Sequence, residues 1–590
     1  MSGNEGVVKV RDYAVDLNAS VAQSLFLGNI VEENLYPFPS IQPEERETLT
    51  MVVDSVKKFM EEQRSQFREF DVKGAQSDEY LQQLRELGLF GLIIPEQYDG
   101  VGFSNKSYAR VLQETSRIDG STSLTIGAHS SIGMRGLVLF GTPEQKQRYL
   151  PRLACGEMIA AFCLTEPGSG SDAASIKTTA EKQSDGSWIL NGEKIWITNG
   201  PFADYFTVFA KTDSEQGKLS AFIVERAFAG VSTGHKEDKM GIRASATSSV
   251  TLTNVHVPAE NLLGEEGKGF KVAMSILNSG RSGLGGGCVG AMKECIRLAT
   301  EHATQRKQFG RSIAEFELVK EKIAKMAKLC FATESMVTMV ANYSDIGCRD
   351  YSVEAAMSKV YGTEALWTVA NEALQIAGGN GFMREFPYER IVRDSRINMI
   401  FEGTNEILRL FIALTGFRGA GEYLKEIGKS GANIFNDPIK GFGVLSGYAA
   451  KKFTQLTSVG RDRLSFVPSV LEAEATVVEQ LTVDFSGAVE AILRRHGKGI
   501  IGKQYISKRV ANSAILLFGS LAVLSRVSSM IADKGAAATS AEQEMAKLFI
   551  GDAKQEIHRE LAEVDKNQDA LVTSVADTIL ARGGYDWDIL

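Results

Sequence analysis

The chain has 590 residues, 44% of them hydrophobic and 23% charged, with a formal net charge of −8. That length predicts several domains with sizeable cores, and the acidic balance excludes a nucleic-acid binder. The six cysteines (155, 163, 288, 295, 330 and 348) are scattered without a CxxC pair, which excludes a disulfide frame and suits reduced core residues of an intracellular protein.

The opening "MSGNEGVVKVRDYAVDL" carries Glu5, Asp12 and Asp16. It has neither the basic start and apolar core of a secretory signal nor the Arg-rich, acid-poor character of a transit peptide. The expectation is a cytoplasmic bacterial-type protein or a processed organelle matrix form. Residues 1–40, with "YPFPS", read as an extended arm. From Glu44 the apolar residues Leu49, Val52, Val53, Val56, Phe59 and Met60 recur at helical spacing, and helical text continues through an N-terminal domain over 41–160.

The character then changes. "SWILNGEKIWITNG", "YFTVFAK", "LSAFIVER" and "SSVTLTNVHV" are short runs rich in β-branched and aromatic residues between Gly, Asn and Asp, which predicts a β domain over 161–268. Helices return at Phe270, with Met274 and Leu277 on its face, and a second helical domain is expected over 269–420. "GFRGAGEYL" reads as the boundary to a C-terminal helical extension, 421–590, in which Leu471, Val478, Leu481, Phe485, Ala488 and Ile492 form an apolar stripe. "NSAILLFGSLAVLS" (512–525) is too short to cross a bilayer. The order is helical, β, helical, helical, without the βαβ alternation of a parallel α/β fold.

The most informative stretch is "NMIFEGTNEILRLFIAL" (398–414). Helix-start chemistry accounts for Thr404 or Asn405 as a cap, Glu406 in the first turn and Arg409 beyond it. It leaves Glu402 unexplained, an acid directly after Met399, Ile400 and Phe401. Burial raises a carboxyl pKa, so a general base poised near neutrality is the functional reading.

Other motifs each carry two readings. "FCLTEPGSGSDAASIKT" (162–178) is a Gly/Ser-rich loop that suits a planar or phosphorylated ligand, or an ordinary turn. In "KIWITNG", Trp196 and Thr198 share a strand face and suit a flat heteroaromatic, or a core anchor. "QRKQFG" (305–310) offers Arg306 and Gln308 to a pyrophosphate, or a helix end closed by Gly310. "LQIAGGNGF" (374–382) lacks the strand and glycine spacing of a dinucleotide fingerprint. The six histidines show no ligand spacing, so no metal site is expected, and no GxSxG is present.

Taken in order, "TEPGSGSD", "WITNG", "RKQFG", "QIAGGNGF" and "IFEGTNEILRL" resemble the acyl-CoA dehydrogenase family over about residues 45–415. The 425–590 extension looks like that family's very-long-chain branch. The resemblance implies a mainly helical fold with a central, barrel-like β domain, FAD as cofactor, and Glu402 as the base that removes the α-proton of an acyl thioester. It implies that Leu164, Thr165 and Ser171 hydrogen-bond the flavin, with Ser171 also near the substrate, and that Trp196 and Thr198 flank the ring. Arg306, Gln308 and Phe309 match residues that reach FAD across a homodimer interface. Gln375, Gly378, Gly379, Thr404 and Glu406 match others near the cofactor. The resemblance also implies that Arg281 supports the base loop and the thioester end, with Phe401 and Gly403 beside the substrate. Some branches carry their base on a helix immediately before the counterpart of Arg281; here that position is Gly280, which favours Glu402.

The implied product is a trans-2-enoyl-CoA, and the implied electron acceptor is an electron-transfer flavoprotein. "TIGAHSSIG" (125–133) corresponds to the far end of the acyl cavity. Small residues there, Gly127 and Ala128, imply depth and long acyl chains, or simply helix packing. A peripheral membrane contact is expected of 439–466, which mixes apolar residues with Lys440, Lys451 and Lys452; in an organelle form this would place the protein on the inner membrane. The basic stretch 492–509 reads as a solvated face. Two other functions fit the lineage: a respiratory-complex assembly scaffold, or a flavin oxidase or dehydrogenase of other CoA esters.

Overall fold

The structure, a computed structural model, describes residues 16–213, 217–432 and 463–589. The chain divides into two compact units, one comprising Glu33–Leu408 with the chain up to Ser20, the other Val21–Glu32 with Arg409–Leu590.

The first unit holds a mixed sheet between two sets of helices. The sheet contains β1 (Ala160–Cys163), β2 (Thr179–Lys182), β3 (Trp188–Thr198), β4 (Tyr205–Asp213), β5 (Lys218–Glu225), β6 (Val231–Thr233), β7 (Thr247–Val257) and β8 (Leu262–Leu263). Their order is β6-β7-β3-β2-β4-β5-β8, with β1 parallel to β4. β3 and β7 form a long antiparallel pair whose register shifts between Lys194 and Ile197. Trp196 lies at that irregularity with φ 55, so strand alternation is not what places it relative to Thr198.

Before the sheet, the Pro43–Glu62 helix starts with Pro at its first turn and buries Leu49, Val56 and Met60, while Val52, Val53 and Phe59 pack alongside the same core. Ser104 caps the Asn105–Ile118 helix by accepting the Ser107 N–H, and Asp119 caps the Gly120–Gly127 helix by accepting the Thr122 N–H.

After the sheet, the 37-residue Gly269–Gln305 helix runs through the core of the second helical set. Its sequence "SGRSGLGGGCVG" is unfavourable by propensity, since each Gly costs about 1 kcal/mol against Ala. Two close approaches explain part of the run. A Cβ at Gly286 would lie 2.5 Å from the Ala109 carbonyl oxygen, and one at Gly290 would lie 2.0 Å from that of Gln113. The glycines let this helix and Asn105–Ile118 meet backbone to backbone.

In the second unit, Glu472–His496, Gln504–Lys534 and Ser540–Glu563 form the main helices. Of the expected stripe, Leu471, Val478, Leu481, Phe485 and Ile492 are buried, while Ala488 is half-buried and Val489 takes the inner position. Gln504–Lys534 is long and apolar enough to span a bilayer; here it is a core helix with Leu517, Phe518, Leu521 and Leu524 fully buried. In the basic stretch, Arg494 pairs with Glu490, Arg495 with Asp565, and Arg509 with Asp569.

Two expectations are corrected. The arm over 1–40 is not simply extended: Val21–Leu25 is helical, and Phe26 packs edge-on against Phe485 at 5.0 Å. The boundary at 420/421 falls inside one continuous helix, Asn405–Ala432. Gly416 lies within that helix, where a Cβ would lie 2.2 Å from the Phe26 ring. The glycine serves a ring contact, not a linker. Residues 439–462 of the expected membrane segment lie outside the described residues.

Gly290→Ala should destabilise the first unit by about 1–3 kcal/mol through overpacking, although helix propensity alone favours it by about 1 kcal/mol. Gly287→Ala, where a Cβ meets nothing closer than Ser123 Oγ at 3.6 Å, should be tolerated. Melting curves of the two variants check the contrast.

Candidate active site

Glu402 lies in the turn between Ile397–Met399 and the Asn405–Ala432 helix. Glu402 (φ 57) and Gly403 (φ 91) are both left-handed, a geometry that costs a non-glycine residue about 1–3 kcal/mol unless its surroundings impose it. The surroundings do so through the Ser352–Ala377 helix. Lys359, itself buried, donates from Nζ to the Gly403 carbonyl and to Asn405 Oδ1, both at 2.9 Å. Asn405 Nδ2 in turn donates to Thr363 Oγ1 at 3.1 Å and Glu364 Oε1 at 3.0 Å. Thr404 Oγ1 caps the following helix by accepting the Ile407 N–H at 3.3 Å. Glu406 is exposed.

The Glu402 side chain enters a cavity of about 130 Å³ lined by Gly280, Gly283, Leu284, Gly287 and Cys288 of the long helix, by Gly127, Ala128 and Ile132, and by Thr198 and Phe401. A Cβ at Gly280 would lie 2.9 Å from Ile132 Cγ2 and 3.6 Å from Glu402 Oε2, and one at Gly287 would lie 3.6 Å from Ser123 Oγ. The cavity therefore follows the helix from Glu402 toward Ala291, a rise of roughly 16 Å at 1.5 Å per residue. Among the described residues, nothing beyond the local helix backbone lies within 4 Å of a Cβ built on Gly127. Further along are Arg390 and Asp394. Arg390 donates to Asp119 Oδ1 at 3.0 Å; burial pushes the Asp394 carboxyl up to about 7, with Arg390 opposing.

Glu402 Oε2 is buried and has no hydrogen-bond partner among the described residues. Desolvation raises its pKa above the ordinary 4.5, while the positive charges of Arg281 and Lys359 pull it down. Arg281 is buried, donates to Asn278 Oδ1 at 2.6 Å and leaves Nε unpaired; burial brings it to about 10, with Glu402 opposing. Burial brings Lys359 to about 8, again with Glu402 opposing. The arrangement is a bare carboxylate in an apolar slot, flanked by two cations. Such a group takes a proton from a weak carbon acid placed against it.

The loop read as a flavin site begins at Leu164, which is buried, and Thr165, whose carbonyl accepts the Ile195 N–H at 3.0 Å. A buried pair holds it. Lys194 Nζ, fully enclosed, donates to the Leu164 carbonyl at 3.2 Å and to Glu166 Oε1 at 2.7 Å. Glu166 also accepts from Thr178 and from the Lys177 N–H. Burial pushes the Glu166 carboxyl up, but Lys194 and these donors outweigh it and hold it below its usual range. Burial lowers the Lys194 ammonium, with Glu166 opposing.

A planar cofactor fits this surface. Trp196 exposes 65% of its surface from a left-handed backbone position, a conformation uncommon for a bulky residue. Ser171, Gly168 and Gly170 are exposed nearby in sequence, and a Cβ at either glycine meets nothing. Thr198 lines the Glu402 cavity directly.

The remaining expected cofactor residues are not part of that cavity. Arg306, Gln308 and Phe309 sit at a small hairpin of β9 (Lys307–Gln308) and β10 (Arg311–Ser312), not at a simple helix end. Phe309 (φ 52) and Gly310 (φ 81) make its turn, and the Phe309 ring is 93% exposed. Gln375, Gly378 and Gly379 are exposed at the end of the Ser352–Ala377 helix.

Sequence reasoning missed Lys359, the Glu166–Lys194 pair and the cavity-facing glycines 280, 283 and 287. Lys359 carried a signal: it stands among Ala355, Ala356, Met357 and Val360, all buried, a lone cation in an apolar helix.

Comparison with known proteins gives a consistent result. Family models match in succession: acyl-CoA dehydrogenase N-terminal domain (46–157), middle domain (161–255) and C-terminal domain (267–416), then the ACAD9/ACADV C-terminal domain (469–585). The mitochondrial very long-chain specific acyl-CoA dehydrogenase of Rattus norvegicus is 43% identical over 584 residues, 94% of this chain and 88% of that protein. A probable acyl-CoA dehydrogenase of Bacillus subtilis is 40% identical over 501 residues, 81% of this chain and 80% of that protein. The crystal structure of an acyl-CoA dehydrogenase complexed with FAD from Bacillus anthracis superposes with a TM-score of 0.78 at 33% identity, covering 95% of this chain and 94% of that one.

Glu166→Ala leaves the Lys194 cation buried without its partner and should cost about 3–5 kcal/mol, seen as a lower melting transition. Glu166 has a folded-state pKa below its unfolded value near 4.5. Its contribution is therefore present above about pH 4.5 and is lost as the pH falls through the folded value. The gap in melting temperature between wild type and variant should close in acid.

Proposed function

The chain belongs to the acyl-CoA dehydrogenase family, and from that premise we propose that it oxidises long- and very-long-chain acyl-CoA to trans-2-enoyl-CoA, with an electron-transfer flavoprotein as acceptor. The enzyme is an FAD-dependent oxidoreductase acting on acyl-CoA. Glu402 takes the α-proton of the thioester as the α C–H bond breaks. The β C–H bond breaks with it, and a C=C bond forms between the two carbons. Bound FAD supplies the acceptor for the β-hydrogen and its electron pair.

The observation that carries this reading is the buried Oε2 of Glu402, unpaired among the described residues, in a largely apolar cavity that Thr198 of β3 also lines. The Glu402 N–H is the chain's own donor to the developing enolate-like oxygen. Phe401 and Gly403 flank the thioester, and Arg281 supports the acid from the neighbouring helix. Substrate binding strips the remaining water from the slot, which strengthens the base.

Leu164, Thr165 and Ser171 would hold the flavin from the loop, with Trp196 and Thr198 flanking its ring. Thr404, Glu406, Gln375, Gly378 and Gly379 would serve the rest of the cofactor. Arg306, Gln308 and Phe309 serve a second copy in a homodimer, which accounts for the exposure of Phe309. Long acyl chains are favoured by the small residues along the cavity, Gly127, Ala128 and Gly287. The relative named as very long-chain specific points the same way, and peripheral membrane contact through 439–466 suits substrates of that kind.

Glu402→Gln should keep FAD and bind acyl-CoA, yet lose flavin reduction by at least about 10²–10⁴-fold. Anaerobic stopped-flow bleaching with palmitoyl-CoA measures it, and full residual activity would assign the proton to another residue. The wild type should bleach faster with palmitoyl-CoA than with butyryl-CoA; the reverse order would remove the chain-length assignment.

A further inference from the structure

We infer that Lys359 is a positioning residue for the catalytic base: it fixes the left-handed Glu402 turn through the Gly403 carbonyl and Asn405, and it supplies one of two positive charges that keep Glu402 ionised without touching it. The inference rests on Glu402 being the base.

The geometry has two parts. Lys359 Nζ bonds the carbonyl of the residue directly after Glu402 and the first residue of the following helix. These contacts bracket the turn at Gly403 and Asn405, and so fix where the carboxylate points. The lysine is buried and, among the described residues, has no carboxylate as an ion-pair partner, an unusual state for an ammonium group, which is rarely enclosed unless paired. Its two acceptors are a backbone carbonyl and an amide oxygen, which orient it but do not neutralise it.

The charges around it are few. Glu402 faces it from the base turn, Arg281 and Cys288 from the Gly269–Gln305 helix, and Glu364 from its own helix. Glu364 already accepts from Asn405. Of the charges around Lys359, Glu402 acts on it most strongly. A carboxylate paired directly to an ammonium is a poor base, because proton uptake must break the pair. One left alone in an apolar slot stays protonated and cannot act at all. A cation held by neutral acceptors beside the turn avoids both outcomes. Arg281 does the same from the opposite helix, through Asn278.

The test compares Lys359→Met, Lys359→Arg and Asn405→Ala in the FAD-loaded enzyme. Lys359→Met should move the acid limb of the flavin-reduction pH profile upward by about one unit, a roughly tenfold loss of rate on that limb, and Lys359→Arg should restore it. Asn405→Ala keeps the cation and should slow reduction with the limb less displaced. A second readout does not depend on turnover. At pH 7, Lys359→Met should lower the melting temperature more in the wild-type background than in Glu402→Gln, a coupling that a structural lysine would not show. An unmoved acid limb together with equal melting shifts in the two backgrounds overturns the inference. If Lys359→Met does not accumulate with flavin, Asn405→Ala decides: slowed reduction supports the positioning role, and an unchanged rate at every pH overturns it. Loss of the Glu402→Gln defect itself would instead remove the assignment of the base, so the two failures are distinguishable.

Discussion

One constraint organises the first unit: a carboxylate must be out of water, ionised, and bound to nothing. Desolvation alone defeats the second requirement and a salt bridge defeats the third. The fold meets these demands by burying Glu402 Oε2 while Arg281 and Lys359, on two other helices and each tied to a neutral acceptor, pull the carboxyl pKa down against burial. The left-handed turn at Glu402 and Gly403 follows from this. So does the glycine run of the long helix, which serves two needs. Gly286 and Gly290 bring the Asn105–Ile118 helix into backbone contact, while Gly280, Gly283 and Gly287 line the cavity that Glu402 enters.

The same logic recurs at the Gly- and Ser-rich loop after β1 with the opposite solution. There the buried charges, Glu166 and Lys194, are paired directly, because their task is to hold backbone in place and not to exchange a proton. Their bonds reach the Leu164 carbonyl and the 177–178 backbone, so the Gly- and Ser-rich segment between is pinned at both ends while its tip stays open.

Much of this was legible in the sequence, for physical reasons that differ by residue. Glu402 stood out because an acid after Met-Ile-Phe has no structural task. The strands were legible from β-branched runs between turn residues. The stripe from Leu471 to Ile492 was legible from its spacing, apart from the one-residue exchange of Ala488 for Val489. What was hidden depends on distant contacts. Gly416 looks like a boundary until the Phe26 ring is seen against it. The residues around it belong to one helix, and part of the N-terminal arm belongs with the second unit. Trp196 appears to alternate with Thr198 until a register shift intervenes. Lys359 stands out as a lone cation in an apolar helix, but its partners, the Gly403 carbonyl and Asn405, are visible only in the fold.

The most direct test of the account is a pH titration of the Glu402 carboxyl by infrared difference spectroscopy in the substrate-free holoenzyme, with Glu402→Gln identifying the band. The account predicts a protonated carboxyl band that persists above pH 4.5, at a frequency typical of a group without strong hydrogen bonds, and that is absent from the variant. A Glu402 that is already fully ionised at pH 4.5, or a band shifted by strong hydrogen bonding, would contradict it.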